Sequence, residues 1–211
     1  MSKIKTLQDL QDSIDKEYTW RFREICLLKD QLKEHKSSDK YVWPLSRSLV
    51  MLSYCHWEGF VKYSAINFFS YIRFISLTQS QLSPKFLASS IRHLCDGKKM
   101  SVAVEEILKC ISNPSYKFSY DDKVLTSAES NLNYDVLTKI AVNIGVDISP
   151  LSIKQQMLDA VVLARRNDCA HGESVYTTYD YGIEVADIVI ELMKLFKNQL
   201  QNMIALEEFK A

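Results

Sequence analysis

The residues best equipped for chemistry in this sequence are Arg166 and His171. They bracket four others at the end of an apolar run, Val161-Val162-Leu163-Ala164. An arginine presents a fixed fork of N–H donors that matches a phosphate. A histidine gives or takes a proton near neutral pH. The pair is a minimal kit for cutting a phosphodiester beside a 2′-hydroxyl without a metal ion. Such a cut has three requirements. The hydroxyl must lose a proton, the pentacoordinate phosphate must be stabilised, and the leaving 5′-oxygen must be protonated. His171 is assigned to proton transfer and Arg166 to the phosphate charge.

The neighbours have weaker claims. Asn167 and Asp168 would orient the imidazole or bind the ribose, although a lone Asp168 could equally form a surface ion pair of little worth. Arg165 is either a solvated charge or a second phosphate contact. Glu173 would hold His171 or cap the next segment. Cys169 reads as a partly buried structural thiol rather than a nucleophile. The plain alternative for the pair itself is a surface arginine beside a histidine that the helix dipole favours at a C-terminus.

The spacing sets a geometric condition. Five residues on an ideal helix turn the face by about 140° and climb about 7.5 Å, so the two side chains do not share a face. Gly172 answers this by ending the helix at the histidine. The long arginine then spans the remainder.

Arg166-Asn167-x-x-Ala170-His171-Gly172 resembles the Arg-x4-His motif of the HEPN superfamily, small all-helical proteins of which many are metal-independent ribonucleases. Two further stretches resemble one prokaryotic branch, the MAE-type HEPN-like nucleases. Residues 47–52 leading to 57–62 are similar to its second helix. Residues 130–137 followed by 144–147 are similar to the segment ahead of its catalytic helix. The resemblance implies an all-α, HEPN-type helical bundle. It would be a single domain over 1–211, with a long N-terminal helix (1–36), a motif-bearing core (40–175) and a long C-terminal helix (179–209). It implies an endoribonuclease with Arg166 and His171 catalytic, and Asn167, Asp168, Glu58 and Arg165 supporting. RNA would be the substrate. One chain carries a single histidine in the motif, so the resemblance also implies a homodimer in which two motif helices face each other. A toxin or phage-defence effector, with an antitoxin or defence complex as partner, comes from the family alone. The alternative is a non-catalytic HEPN module that binds a nucleotide or a partner protein. The intact motif favours the enzyme and the neutral charge favours the module. A purely structural helical protein would leave the motif unexplained.

The totals set bounds. The 211 residues suit one domain. With 47% apolar and 25% charged residues, a real core is expected and global disorder is not. Only five glycines and four prolines favour helices over a sheet protein. Lys+Arg and Asp+Glu are 26 each, which argues against broad coating of nucleic acid but leaves room for a local positive field. The five cysteines have no Cys-x-x-Cys spacing and no His-x3-His accompanies them, so no zinc site, metal or cofactor is expected. Without a secretory signal pattern, free thiols in a cytoplasmic protein are expected. The most apolar region, Leu49 to Leu77, is interrupted by His56, Glu58, Lys62 and Arg73, so no membrane span is expected.

The elements that must position the pair follow from apolar spacing. Ile4 to Glu34 reads as one helix on the stripe Ile4, Leu7, Ile14, Tyr18, Ile25, Leu28 and Leu32, with Trp20 and Phe22 widening it. A new cap is expected at Ser38 or Asp39. Tyr41 to Leu77 reads as a second helix, with Pro44 in its first turn and Gly59 admitting another helix closely. Leu82 to Gly97 and Ser101 to Ile111 read as shorter helices, capped by Ser83 and Ser101. Tyr116 to Ser130 reads as an extended loop. Asn133 caps a helix that Gly145 ends. Ser152 to Ala170 is the motif helix, with Ile153, Met157, Ala160, Val161 and Ala164 expected inside. Tyr179 to Phe209 closes the chain on Val185, Val189, Leu192, Phe196 and Met203. Glu58, on an apolar helix, would reach the cleft or form a structural ion pair, for instance with Arg47; the ion pair is the favoured reading. His56 and His93 read as ordinary helix residues. Tyr176, Tyr179 and Tyr181 would either stack on bases or pack.

Overall fold

The computed structural model describes residues 4–95, 97–120, 131–170 and 177–211, without the side chains of Asp39, Arg165 and Ala170. His171, Glu173 and Tyr176 therefore lie outside the described residues, as does most of the expected loop before Ser130. What is described is helical, joined by turns and two isolated backbone bridges, with no strand among the described residues.

Helix α1 (Leu7–Glu34) begins with a capping box. The Thr6 side chain accepts from the Asp9 N–H, and the Asp9 carboxylate takes the Thr6 N–H in return. Its stripe buries Leu10, Ile14, Ile25 and Leu32. Trp20 and Phe22 do not widen that face. They are 45% and 37% exposed, because each lies off the buried stripe on a helix with only one partner side. Helix α2 (Asp39–Ile75) follows Ser38 as its N-cap and starts two residues earlier than the apolar spacing indicates. The Tyr41 and Val42 N–H groups already bond the Ser38 carbonyl. Pro44 is therefore in the second turn, where it removes one intrahelical bond near an exposed end.

α2 is the spine, buried on several sides through Leu49, Tyr54, Trp57, Phe60, Phe68 and Phe69. α1 runs antiparallel to it: Ser13 meets Tyr63, and Arg21 meets His56. Gly59 is what permits the second contact, since a Cβ there would come within 2.6 Å of the Arg21 guanidinium. The last long helix, α7 (Tyr179–Ala205), runs parallel to α2. The Ser46 hydroxyl donates to the Thr178 carbonyl at one end, and Trp57 and Phe60 pack edge-on against Phe196 further along. Gly182 is a close-approach position, since a Cβ would fall 2.2 Å from the Ser46 hydroxyl oxygen.

Beyond the middle of α2 lie α3 (Pro84–Cys95) and α5 (Tyr134–Ile144), with α4 (Met100–Ile111) packed on α3. Ser83 caps α3 through the Phe86 N–H as expected. α4 instead begins after Lys99, with Ser101 inside its first turn and no side-chain cap. Asn133 caps α5 through the Val136 N–H, and Gly145 closes it at φ 75°. Phe68, Phe69, Phe86, Tyr120 and Phe209 form an aromatic cluster here, and His93 packs into it. The C-terminal helix stops at Ala205, short of Phe209. Glu207 turns left-handed, and Phe209 folds back into that cluster. The cysteines are free thiols. Among the described residues no helix is long and apolar enough to cross a membrane.

Candidate active site

The motif begins on α6 (Ala164–Ala170), whose last residue is also the last described before His171. The approach to it is not the regular helix that the apolar spacing suggests. A 3-10 stretch, Ser149–Lys154, leads to a π-helical stretch, Met157–Leu163, and then to α6. The expected buried face is wrong as a result. Leu151, Leu158 and Val162 are fully buried, whereas Ile153 is 84% and Met157 38% exposed, and Ala160 and Ala164 face out with them. Val161 is half-buried. A π turn is wider than an α turn, so the register drifts and a 3.6-residue reading selects the wrong stripe. Two side chains fasten the irregular stretch. The Tyr181 hydroxyl donates to the Val161 carbonyl at 2.8 Å, and Asp159 accepts the Tyr134 N–H at 2.9 Å.

Arg166 follows Val162 by one turn and so continues the inward stripe. Its guanidinium carbon lies 4.9 Å from the centre of the Tyr54 ring. Its Nη1 donates to Asn131 Oδ1 at 2.7 Å and to Asn167 Oδ1 at 3.0 Å. Its Nε is buried with no partner among the described residues. Tyr54 is the hub. It is 1% exposed, and its hydroxyl accepts the Leu132 N–H at 2.6 Å, which fixes the backbone beside Asn131. Burial holds the phenol well above its usual range. The Leu132 bond opposes this, the facing Glu58 carboxylate adds to it, and Arg166 pulls it back. The phenol is therefore neutral at any physiological pH.

Glu58 stands one turn beyond Tyr54 and pairs with Lys62 on its own helix. The expected structural ion pair exists, but its partner is not Arg47, which lies eleven residues back and about 16 Å along the axis. Asn167 holds the arginine in this arrangement. Asp168 is half-buried on α6. Tyr54 and Asn131 were not singled out in the sequence. Asn131 lies inside one of the stretches that carry the HEPN resemblance and Tyr54 between the two halves of another, and a polar ring one turn before Glu58 on an apolar helix was the available signal.

His56 is not the unremarkable helix residue expected. It is 3% exposed, with Nδ1 3.3 Å from Arg21 Nη1 and Nε2 2.9 Å from a Glu24 oxygen. Arg21 cannot accept, so Nδ1 must, and the ring proton belongs on Nε2 facing Glu24. Burial first, then Arg21, lower its pKa; Glu24 and Glu17 oppose them. This cluster lies on the α1 side of the spine, away from Tyr54.

A family model described as RiboL-PSP-HEPN matches residues 16–202. The chain belongs to this HEPN family. The match runs from α1 into α7 and so takes in each element that meets at Arg166. No curated protein and no solved structure matches. Membership places the chain among nuclease-like or RNA-related HEPN modules, and the all-α architecture accords with it.

Proposed function

We propose that this HEPN protein is a metal-independent endoribonuclease, in which Arg166 binds the scissile phosphate and His171 transfers protons. The observation that carries the reading is the state of Arg166. Its charge is half-buried, yet among the described residues its partners are two amide oxygens and an aromatic face, with no carboxylate. A cation withdrawn from water with no carboxylate bonded to it among the described residues favours an anion. A phosphate supplies one, with oxygens suited to the unpartnered Nε–H. Asn131, Asn167 and Tyr54 act on the arginine's orientation.

The reaction needs an acid and a base. A homodimer supplies both by bringing two copies of His171 to one cleft. The exposed stripe Ile153, Met157, Ala160 and Ala164 leads up to the motif and supports this assembly. Covering it with a second copy removes apolar surface from water. A role as toxin or phage-defence effector, with an antitoxin or defence complex as partner, extends the same reading.

The test is direct. His171→Ala and Arg166→Ala should each abolish RNA cleavage while the far-ultraviolet circular dichroism is kept; general acid–base catalysis alone is worth about 10²–10⁴-fold. Cleavage should persist in EDTA, the products should end in a 2′,3′-cyclic phosphate, and a 2′-deoxy residue at the cut site should resist. EDTA-sensitive cleavage, or a 3′-hydroxyl product, would show a different chemistry. Nucleotide or protein binding without cleavage would favour the non-catalytic module.

A further inference from the structure

Four residues of α2 share one face. At 100° per residue, Trp43, Arg47, Tyr54 and Glu58 fall within about 60° of one another around the axis. Tyr54 carries the Arg166 guanidinium. Two turns toward the N-terminus, the Arg47 guanidinium carbon lies 5.6 Å from the Trp43 ring centre. Trp43 is 36% exposed. The α7 N-terminus joins the same end of α2 through Ser46 and Thr178, and there the Lys36 ammonium sits 4.5 Å above the Tyr179 ring. Two pairs of a cation on an aromatic ring thus share this face, and a third lies at the same end of α2. The acid on the stripe, Glu58, is neutralised by Lys62.

Alternating aromatic planes and cations match single-stranded nucleic acid. Bases of any identity stack on rings, and phosphates pair with the interleaved cations. A duplex hides its base faces and cannot use the rings. From Trp43 to Tyr54 is about 16 Å of helix axis, which suits the short end of single-strand sites, about four nucleotides.

We propose that this face of α2, with Lys36 and Tyr179, is the track that holds the single-stranded RNA flanking the cut. Bases stack on Trp43 and Tyr179, and phosphates lie on Arg47 and Lys36. The proposal rests on the ribonuclease reading of Arg166 for its direction, but its test does not depend on cleavage.

The probe is a fluorescent, fully 2′-O-methylated RNA strand of roughly 12 nucleotides, long enough to overfill such a site and unable to be cut. Binding is read by anisotropy. Trp43→Ala should weaken it about ten-fold or more. Arg47→Gln should weaken it and flatten the slope of log affinity against log salt by about 0.7. Trp43→Phe keeps a ring and should retain most of the affinity. Duplex RNA should compete poorly. Circular dichroism melts establish that the variants fold. If Trp43→Ala does not fold, Arg47→Gln and Trp43→Phe carry the test. Unchanged affinity in Arg47→Gln, no binding by the unaltered protein, or equal competition by duplex RNA would each overturn the track. If His171→Ala abolishes cleavage while Arg47→Gln leaves both KM and probe affinity alone, the enzyme stands and the track does not. If the probe binds as described but no cleavage is found, the reverse holds.

Discussion

Removing the Tyr54 hydroxyl is the perturbation whose size follows most directly from the structure. In Tyr54→Phe the ring stays beneath Arg166, but the Leu132 N–H loses its acceptor. Leu132 is fully buried, so water cannot replace the bond. An orphaned buried donor costs about 1–3 kcal/mol. In a chain of this length each kcal/mol shifts Tm by about 2–4 °C, so a fall of roughly 2–12 °C is expected. Tyr54→Leu removes the ring as well, and a cavity complicates its reading. A cycle with Arg166→Met isolates the cation–ring part. The coupling between the two sites should be about 0.5–2 kcal/mol, the range for a cation over a partly desolvated ring. Thermal and urea unfolding followed by circular dichroism supply each corner. No stability loss in Tyr54→Phe would mean that the hydroxyl does not hold Leu132. Zero coupling would mean that the ring does not seat the arginine, and the account of a pre-built phosphate site would fall with it.

Stability should also depend on His56. Its folded pKa is lowered below the ordinary 6.5, so the contribution is full above about pH 6.5 and is lost as pH falls below that toward the folded value. His56→Gln should flatten this acid limb in urea titrations between about pH 7 and 5, and an unchanged limb would remove His56 as its cause. Gly182→Ala should destabilise by about 1–3 kcal/mol, because the new methyl meets both the hydroxyl and the backbone of Ser46; a neutral result in chemical denaturation would show that α2 and α7 separate easily. The unaltered protein should sediment as a dimer, and Met157→Glu should yield monomers with cleavage lost; a fully active monomer would refute a composite site.

The long helices were legible because each carries a whole apolar stripe at helical spacing, although the first starts at Leu7 rather than at the Ile4 that its stripe indicates. Asn133 and Gly145 do in the structure what their types allow anywhere. α7 buries the residues its spacing indicates, because a helix docked along one face has no other stripe to offer. The motif helix was misread for a physical reason. Its sequence holds two apolar stripes, and choosing between them requires knowing that Met157–Leu163 is π-helical and that Tyr181 and Asp159 fasten it. Neither is a property of the local sequence.

By itself the sequence determined the helical class and located the motif, since residue type and periodicity are local and survive in any packing. Only the tertiary structure decided what surrounds Arg166. Tyr54, Asn131 and Arg166 are far apart in the chain, and the ring, amide and guanidinium meet only when three separate elements dock. The same holds for His56. Its tautomer is set by an arginine on another helix, admitted there because Gly59 has no side chain to exclude it.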